Sequence, residues 1–157
     1  MKTVTLDINQ KTCVLEVRDS ELLIETLRDR LGLLGTKYSC LEGDCGACTV
    51  LLDGNNVLSC LILTLEAEGR KITTIEGMSP GGELHPVQQA FIDAGAVQCG
   101  FCTPGMVLAS KALLDKNSHP DKEDIVRALD GNLCRCTGYV RIVEAVTAAA
   151  KAMEKTS

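Results

Sequence analysis

Aromatic side chains are scarce in this sequence. Its 157 residues include no tryptophan, two phenylalanines and two tyrosines, too few for the aromatic platforms on which single-stranded nucleic acids stack. Basic residues are outnumbered too, since 16 Lys and Arg stand against 21 Asp and Glu and leave a formal net charge of -5. Phosphate binding needs a basic surface. We therefore expect no nucleic-acid partner.

Long apolar segments are also lacking. No uninterrupted apolar run approaches the roughly 18 residues that a membrane-spanning helix needs. The N-terminus alternates polar and apolar residues and has no apolar stretch typical of a signal peptide. The sequence thus predicts a cytoplasmic protein with no membrane span. Thiols stay reduced in that compartment, so clustered cysteines there indicate metal ligands more often than disulfides.

Histidine is rare, and the common catalytic motifs are missing. His85 and His119 are the only two histidines, and neither is next to a cysteine, whereas a Rieske centre needs two histidine ligands. We interpret both as surface or helix-capping residues. No Gly-rich nucleotide-binding fingerprint and no Ser, His and Asp arrangement is recognisable. The chemistry left to this chain is redox ligation by cysteine, and we predict no catalytic residue on it.

Cysteine is the abundant residue, with nine in all. Three of them have the spacing C-x4-C-x2-C and a fourth follows after eleven intervening residues, which is the plant-type [2Fe–2S] ferredoxin pattern. The ligands that this pattern predicts are Cys40, Cys45, Cys48 and Cys60. A [2Fe–2S] cluster needs four thiolates, two on each ferric ion. The glycines between these cysteines let backbone N–H groups fold over the inorganic sulfides.

A second set of four cysteines combines a C-x2-C pair with a C-x-C pair: Cys99, Cys102, Cys134 and Cys136. Two cysteines in C-x-C spacing can serve one iron only if the backbone turns tightly. Zinc also accepts four cysteines, so this spacing alone leaves a cluster and a zinc site open, and the first motif favours a cluster. Cys13 alternates with Leu15 and Val17, and we interpret it as a small buried hydrophobic residue and not as a ligand.

The hydrophobic pattern of the first half predicts a small α+β unit. Residues 3–9 and 12–17 alternate as a β-hairpin, and residues 21–31 have the period of an amphipathic helix with Asp19 or Ser20 as its N-cap. Further strands are predicted at 57–63 and 71–75. The glycines and proline of residues 77–84 then predict a linker.

Beyond this linker the pattern becomes helical. Helices are predicted to start at Pro86, after Pro104, at about Lys122 and at about Tyr139. Each cysteine pair of the second set lies between two of these helices, as a four-helix bundle around one central site would require.

Three segments, residues 35–50, 98–106 and 131–139, resemble the small iron–sulfur subunit of the molybdenum hydroxylases, the xanthine dehydrogenase and aldehyde oxidase family. The resemblance covers nearly the whole chain. It implies an α+β fold with an N-terminal β-grasp, ferredoxin-like domain over residues 1–76, a linker over 77–84 and a helical domain, a four-helix bundle, over 85–157. Each domain would hold one [2Fe–2S] cluster.

The same resemblance implies the role of each site. The first set of cysteines would bind the cluster nearer a flavin, and the second set the cluster nearer a molybdenum–pterin cofactor. Gln98 matches the family's glutamine that hydrogen-bonds the pterin, with a solvated loop residue as the alternative.

The chain would then be the electron-transfer subunit of a multi-subunit oxidoreductase and hold no substrate site. A large subunit with molybdopterin would hydroxylate a CH group with oxygen from water, and the electrons would pass singly to FAD on a medium subunit. The substrate of the complex stays open, with nicotinate or another N-heteroaromatic as first choice.

Two other functions fit parts of the pattern. A free-standing soluble ferredoxin would need the first motif, but it would leave the helical half without a purpose. An interaction module stapled by zinc would use both cysteine sets without redox chemistry. Colour separates this last hypothesis from the others, because zinc leaves a protein colourless.

Overall fold

A computed structural model describes residues 1–154 of the chain. Over this range the fold mixes sheet and helix: a five-stranded sheet is built from the first half, and most of the helical residues follow in the second. The prediction of strands in the first half and helices in the second is therefore confirmed. No helix among these residues has the length and apolar character needed to cross a membrane.

The predicted N-terminal hairpin is present. Strands β1 (Lys2–Ile8) and β2 (Lys11–Val17) pair antiparallel. Asn9 and Gln10 connect them with positive φ angles of 52° and 65°, the backbone that a two-residue hairpin turn requires. Alternate residues of β1 are buried under the rest of the fold, because successive side chains of a strand point to opposite faces.

Three shorter strands complete the sheet: β3 (Thr49–Leu52), β4 (Asn55–Leu58) and β5 (Lys71–Thr73). The strand order is β2-β1-β5-β3-β4. β5 runs parallel to β1, and the other pairs are antiparallel. The core of this half lies between the sheet and the first helix, and it consists of Val4, Leu6, Ile8, Val17, Leu23, Leu27, Val50, Leu52, Ala67 and Ile72.

The first helix begins later than predicted. α1 (Leu23–Glu25) continues as a π-helical turn over Thr26–Arg30, and neither predicted cap is used. Leu22 is extended and forms an isolated bridge with Leu63, so the chain cannot become helical before residue 23. The side chain of Glu25 provides the cap by accepting a hydrogen bond from Leu22 N–H at 2.8 Å.

The strand predicted over residues 57–63 ends at Leu58. Ser59–Leu61 is a 3-10 turn instead. The backbone N–H and the hydroxyl of Ser59 both donate to the carbonyl of Cys48, at 3.3 and 2.7 Å, and this contact folds the chain back towards the loop before β3. As a result Cys60 lies just after the strand and is buried.

Four helices follow in the second half: α2 (Pro86–Asp93), α3 (Thr103–Lys116), α4 (Lys122–Leu129) and α5 (Val140–Glu154). α2 packs mainly against α5, and α3 against α4 and the sheet strand β3. Leu51 of the sheet belongs to the helical core, so α3 covers the face of the sheet opposite to α1. The two halves therefore share one continuous interface.

The remaining sequence predictions concern single residues. His85 is the N-cap of α2, where its Nδ1 accepts from Val87 N–H at 3.2 Å. His119 is exposed and lies 2.9 Å from the Glu154 carboxylate. Both interpretations are confirmed. Cys13 lies on the Leu15 side of β2 as expected but is only half-buried, because β2 is an edge strand with no neighbour on one side.

Candidate iron–sulfur sites

The first four cysteines come from two segments that meet at the end of the β3–β4 pair where Thr49 lies opposite Leu58. Cys40, Cys45 and Cys48 lie on the loop between α1 and β3, and Cys60 lies on the 3-10 turn after β4. The Cys40 thiol is in contact with the Cys45 thiol, and the Cys60 thiol with the Cys48 thiol. The structure thus brings all four predicted residues together as two pairs.

The two pairs differ in exposure. Cys48 and Cys60 are 4% and 3% exposed and pack against Ile24, whereas Cys40 and Cys45 are half-buried. Burial, followed by the neighbouring Cys48 thiol, raises the pKa of Cys60 to about 12. A metal cation is needed to displace the proton from such a thiol, because metal ligands bind as thiolates.

Backbone N–H groups surround the more exposed pair. Glu42 N–H and Cys45 N–H both donate to Cys40 Sγ at 3.4 Å, and Ala47 N–H donates to Cys45 Sγ at 3.5 Å. The N–H groups of Glu42 and Cys45 lower the pKa of Cys40 to about 6, since they stabilise the thiolate. Gly43, with a φ of +86°, lets the loop turn within this short distance.

The second four cysteines lie at helix ends. Cys99 and Cys102 stand between α2 and α3, with Cys102 as the N-cap of α3, and Cys134 and Cys136 stand in the turn between α4 and α5. The sulfur of Cys136 is 3.5 Å from that of Cys99, and the Cys134 thiol is in contact with that of Cys102. The C-x-C residues therefore do not pair with each other: each pairs with one residue of the C-x2-C motif.

This pairing fits a two-iron cluster. Two thiolates at about 2.3 Å from one tetrahedral metal stand about 3.8 Å apart, close to the 3.5 Å between Cys99 and Cys136. Across residues 1–154, no three Cys, His, Asp or Glu side chains converge on a single point as ligands of one metal would. Two pairs of thiols side by side are the donor set of two irons bridged by sulfide.

Hydrogen bonds and burial shift the pKa values of thiols in the second set in opposite directions. The Thr137 hydroxyl and N–H donate to Cys134 Sγ at 3.1 and 3.4 Å. Burial raises the pKa of Cys134, but these hydrogen bonds outweigh it and bring that pKa to about 7. Burial, and next the Cys134 thiol, raises the pKa of Cys102 to about 12. The proximity of the Cys99 thiol raises the pKa of the exposed Cys136.

Each site reaches the surface within an apolar rim. Cys99 and Cys136 are exposed, and the exposed apolar residues near them in the chain are Val97, Phe101, Leu133, Tyr139 and Val140. Leu41 and Leu61, adjacent to Cys40 and Cys60, are exposed as well. Gln98 is exposed beside Cys99. Clustered exposed apolar residues are typical of interaction surfaces.

The two sites adjoin each other. Leu133 N–H donates to the carbonyl of Cys45 at 2.9 Å, so a single hydrogen bond links a residue of the first set to the neighbour of Cys134. A cavity of about 440 Å³ is lined by Cys45 together with all four cysteines of the second set. An electron on one site would have a short path through protein atoms to the other.

Several polar residues at these sites were not predicted from the sequence. Thr137 is a hydrogen-bond donor to a sulfur, Tyr139 accepts a hydrogen bond from Cys134 N–H at 2.9 Å, and Asn132 is buried between the two sites. The signal that could have indicated Thr137 is a hydroxyl residue directly after a cysteine. Nothing local distinguishes Asn132, because its partners are more than 80 residues away.

These sites define an iron–sulfur protein with two binding units, and the comparisons with known proteins agree. Residues 6–73 match the family model for a 2Fe-2S iron-sulfur cluster binding domain, and residues 74–147 match that for a [2Fe-2S] binding domain. Both cysteine sets thus fall inside a matched region.

Two relatives and one solved structure are similar along nearly their whole length. The nicotinate dehydrogenase small FeS subunit of Eubacterium barkeri is 46% identical, with 92% of each chain covered. The xanthine dehydrogenase iron-sulfur-binding subunit of Escherichia coli is 48% identical, with 92% of this chain and 93% of the relative covered. A chain of the crystal structure of quinoline 2-oxidoreductase from Pseudomonas putida superposes with a TM-score of 0.93 at 42% identity, covering 98% of this chain and 96% of that one.

The chain belongs to the small iron–sulfur subunits of the molybdenum hydroxylase family, which includes xanthine dehydrogenase. It is an electron-transfer subunit of an oxidoreductase, and the chain itself has two 2Fe-2S binding domains.

Proposed function

We propose that this subunit relays electrons from a molybdopterin centre on a large subunit, through two [2Fe–2S] clusters of its own, to FAD on a medium subunit. The observation that carries the proposal is the arrangement of eight cysteines as two adjoining groups, each of two thiol pairs. The hydrogen bond from Leu133 to Cys45 joins the groups, and each group also reaches the surface. A relay needs both features: a short internal path and an accessible face at each end.

The ligands in this proposal are the residues that the spacing predicts. Cys40, Cys45, Cys48 and Cys60 would hold the first cluster, and Cys99, Cys102, Cys134 and Cys136 the second. The thiol pairing supports Cys40 with Cys45 on one iron and Cys48 with Cys60 on the other. In the second set it supports Cys99 with Cys136 and Cys102 with Cys134.

The proposed domains follow the same division. A β-grasp, ferredoxin-like domain would take residues 1–76, with a linker at 77–84, and the strand order with β1 and β5 parallel in the middle supports it. A four-helix bundle would take residues 85–157. Of that range the structure describes residues up to 154, where α2 packs with α5 and α3 with α4.

When bound, a [2Fe–2S] cluster supplies a one-electron carrier. The chain's own residues set how easily it is reduced, because hydrogen bonds to sulfur stabilise the added negative charge and burial away from solvent destabilises it. Cys40 and Cys45 accept backbone N–H bonds, and Cys134 accepts from the Thr137 hydroxyl. The two clusters are therefore expected to differ in reduction potential.

Gln98 is proposed as the contact to the pterin. It is exposed and precedes Cys99, which is itself exposed within the apolar rim of the second site. An amide at this position can both donate and accept hydrogen bonds, as the edge of a pterin requires. With Gln98 in this role, the second site would lie at the molybdenum end of the relay and the first site at the flavin end.

The proposed substrate of the complex is nicotinate or another N-heteroaromatic compound, converted in the cytoplasm. The names of two relatives support it, a nicotinate dehydrogenase and a quinoline 2-oxidoreductase. A xanthine dehydrogenase subunit is similar to the same degree, so purines are the competing class. No substrate site is proposed on this chain.

The proposal is tested on the protein purified anaerobically with the subunits that accompany it. We expect about four irons and four acid-labile sulfides per copy of this chain, together with molybdenum and FAD, and two distinct EPR signals after reduction. Adding nicotinate should bleach the visible absorption of the clusters, whereas xanthine and benzaldehyde should not. Colourless protein with zinc, or a single EPR species with one midpoint potential, would contradict the relay.

A further inference from the structure

Asn132 lies between the two cysteine groups. Its side chain is buried, with the residue 6% exposed. The amide nitrogen donates to the carbonyl of Gly46 at 3.0 Å and to the hydroxyl of Thr49 at 3.1 Å. Gly46 follows Cys45 and Thr49 follows Cys48, so one side chain from the second half binds the first loop beside two of its cysteines.

The Thr49 hydroxyl closes this contact into a ring. It accepts from Asn132 and donates to the same Gly46 carbonyl at 2.7 Å. Both hydrogens of the Asn132 amide group are thus used, and the hydroxyl contributes as donor and as acceptor. A buried and satisfied network of this kind fixes the relative position of the segments that it joins.

Two glycines make the close approach possible. A Cβ built on Gly105 of α3 would lie 2.5 Å from the carbonyl oxygen of Gly46, and a Cβ built on Gly46 would lie 2.6 Å from Asn132 Nδ2. Gly46 also has a φ of +71°. Any side chain at either glycine would separate the two halves where Asn132 joins them.

The hydrogen bond between the two sites is directly adjacent. Leu133, the next residue, donates its N–H to the carbonyl of Cys45 at 2.9 Å, and Cys134 follows. Leu133 itself is 58% exposed, so its side chain cannot hold this peptide in place. The buried Asn132 before it is anchored to Gly46 and Thr49, and this anchor can hold the Leu133 peptide in place.

We propose that Asn132 is a positioning residue that holds the two cluster-binding loops together and thereby sets the rate of electron transfer between them. It acts through the Gly46 and Thr49 contacts, which keep the Leu133 N–H against the Cys45 carbonyl. This inference rests on the proposed function, because it requires both clusters to be present.

The test compares Asn132→Leu with the wild-type full chain, each carrying both clusters. Leucine has nearly the same volume but donates no hydrogen bond. We expect iron and sulfide contents to be retained, the magnetic interaction between the two reduced clusters in EPR to weaken, and intercluster equilibration after flash reduction to slow roughly tenfold, equivalent to about 1.4 kcal/mol in the barrier. Asn117→Leu is the matched control, since Asn117 also joins two segments, by a hydrogen bond to Asp124, but lies at the far end of α3 from Cys102.

A second pair of variants covers the case in which Asn132→Leu does not fold. Thr49→Val removes the hydroxyl without changing the shape, and Thr49→Ser keeps it. The valine variant should slow the transfer and the serine variant should restore it. A purely structural role would lower the unfolding temperature and leave the EPR interaction and the transfer rate unchanged, and this result with four irons present would overturn the inference. Wild-type protein that lacks one cluster would instead overturn the proposed function and with it this role of Asn132.

Discussion

The two cysteine groups reach the same arrangement by different means. In the first, three of the four residues lie within one loop of nine residues, from Cys40 to Cys48, and backbone N–H groups of that loop donate to its own sulfurs. In the second, the residues come from two helix ends, and each thiol pair joins segments that are over 30 residues apart. The first group is a local feature of the sequence, whereas the second exists only when the helices are packed.

The largest expected effect is the loss of one cluster while the other is retained. Cys102→Ser removes a proposed ligand of the second cluster, and we expect the iron content to fall from about four to about two per chain, with the EPR signal of the first cluster retained. Cys13→Ser is the control, because Cys13 lies on the edge strand β2 and should keep full iron content. Loss of both signals in Cys102→Ser would show that the first group also depends on the second.

Residue 46 lies at the junction between the two cysteine groups, and this position should tolerate no side chain. Gly46→Ala and Gly54→Ala both place alanine at a positive φ, +71° and +79°, but only Gly46 has neighbours within 4 Å of the added Cβ. Backbone strain should cost each variant about 1 kcal/mol. Overpacking against the Gly131 carbonyl and Asn132 should cost Gly46→Ala about 2 kcal/mol more, measured as the free energy of unfolding by denaturant. Equal losses in both variants would contradict the tight contact.

A smaller effect is expected on the reduction potential of one cluster, with the potential of the other unchanged. Thr137→Val removes the hydroxyl that donates to Cys134 Sγ at 3.1 Å, and the reduced state of the second cluster loses that stabilisation. We expect its midpoint potential to become more negative by on the order of 40 mV, equivalent to about 1 kcal/mol for one electron. The potential of the first cluster should not change in a redox titration. Thr147→Val, whose hydroxyl bonds within α5, should leave both potentials as they are.

The smallest expected effect is on the pH dependence of stability, through the buried Glu21. Burial raises the pKa of Glu21, but hydrogen bonds from Thr26, Arg30 and Arg18 outweigh it and hold that pKa below its ordinary value of 4.5. A lowered pKa in the folded state stabilises the fold above the unfolded-state pKa, and this stability is lost as the pH falls through the folded-state value. Glu21→Gln should therefore flatten the pH dependence of the free energy of unfolding below about pH 5. The same change at the exposed Glu16 should leave the pH profile intact when unfolding midpoints are compared from pH 7 to pH 4.

This difference between the groups also explains what the sequence could predict. The hairpin and the first cysteine loop were predictable because alternation, glycine spacing and C-x4-C-x2-C are local patterns. The predicted start of the first helix at residue 21 was wrong because the bridge from Leu22 to Leu63 is a tertiary contact that no local pattern shows. The strand predicted over 57–63 ends at Leu58 because the turn that buries Cys60 interrupts it.

The arrangement of the second group could be predicted only in part. Spacing identified its four cysteines, but which thiols pair depends on how the ends of four helices meet. Asn132 was unpredictable for the same reason, since its partners Gly46 and Thr49 belong to the other half of the chain. Cys13 was expected to be buried, and its half exposure follows from the position of β2 at the sheet edge.

The crossed pairing of the second group has a consequence for how the chain becomes ordered. An iron bound by Cys102 and Cys134, as proposed above, would close a loop of about 30 residues, and a cross-link of that length removes about 4 kcal/mol of chain entropy from the unfolded state. Without iron, the turn between α4 and α5 would lose this restraint. Iron bound there would stabilise the packing of the helices, and iron binding would be coupled to folding of the helical half.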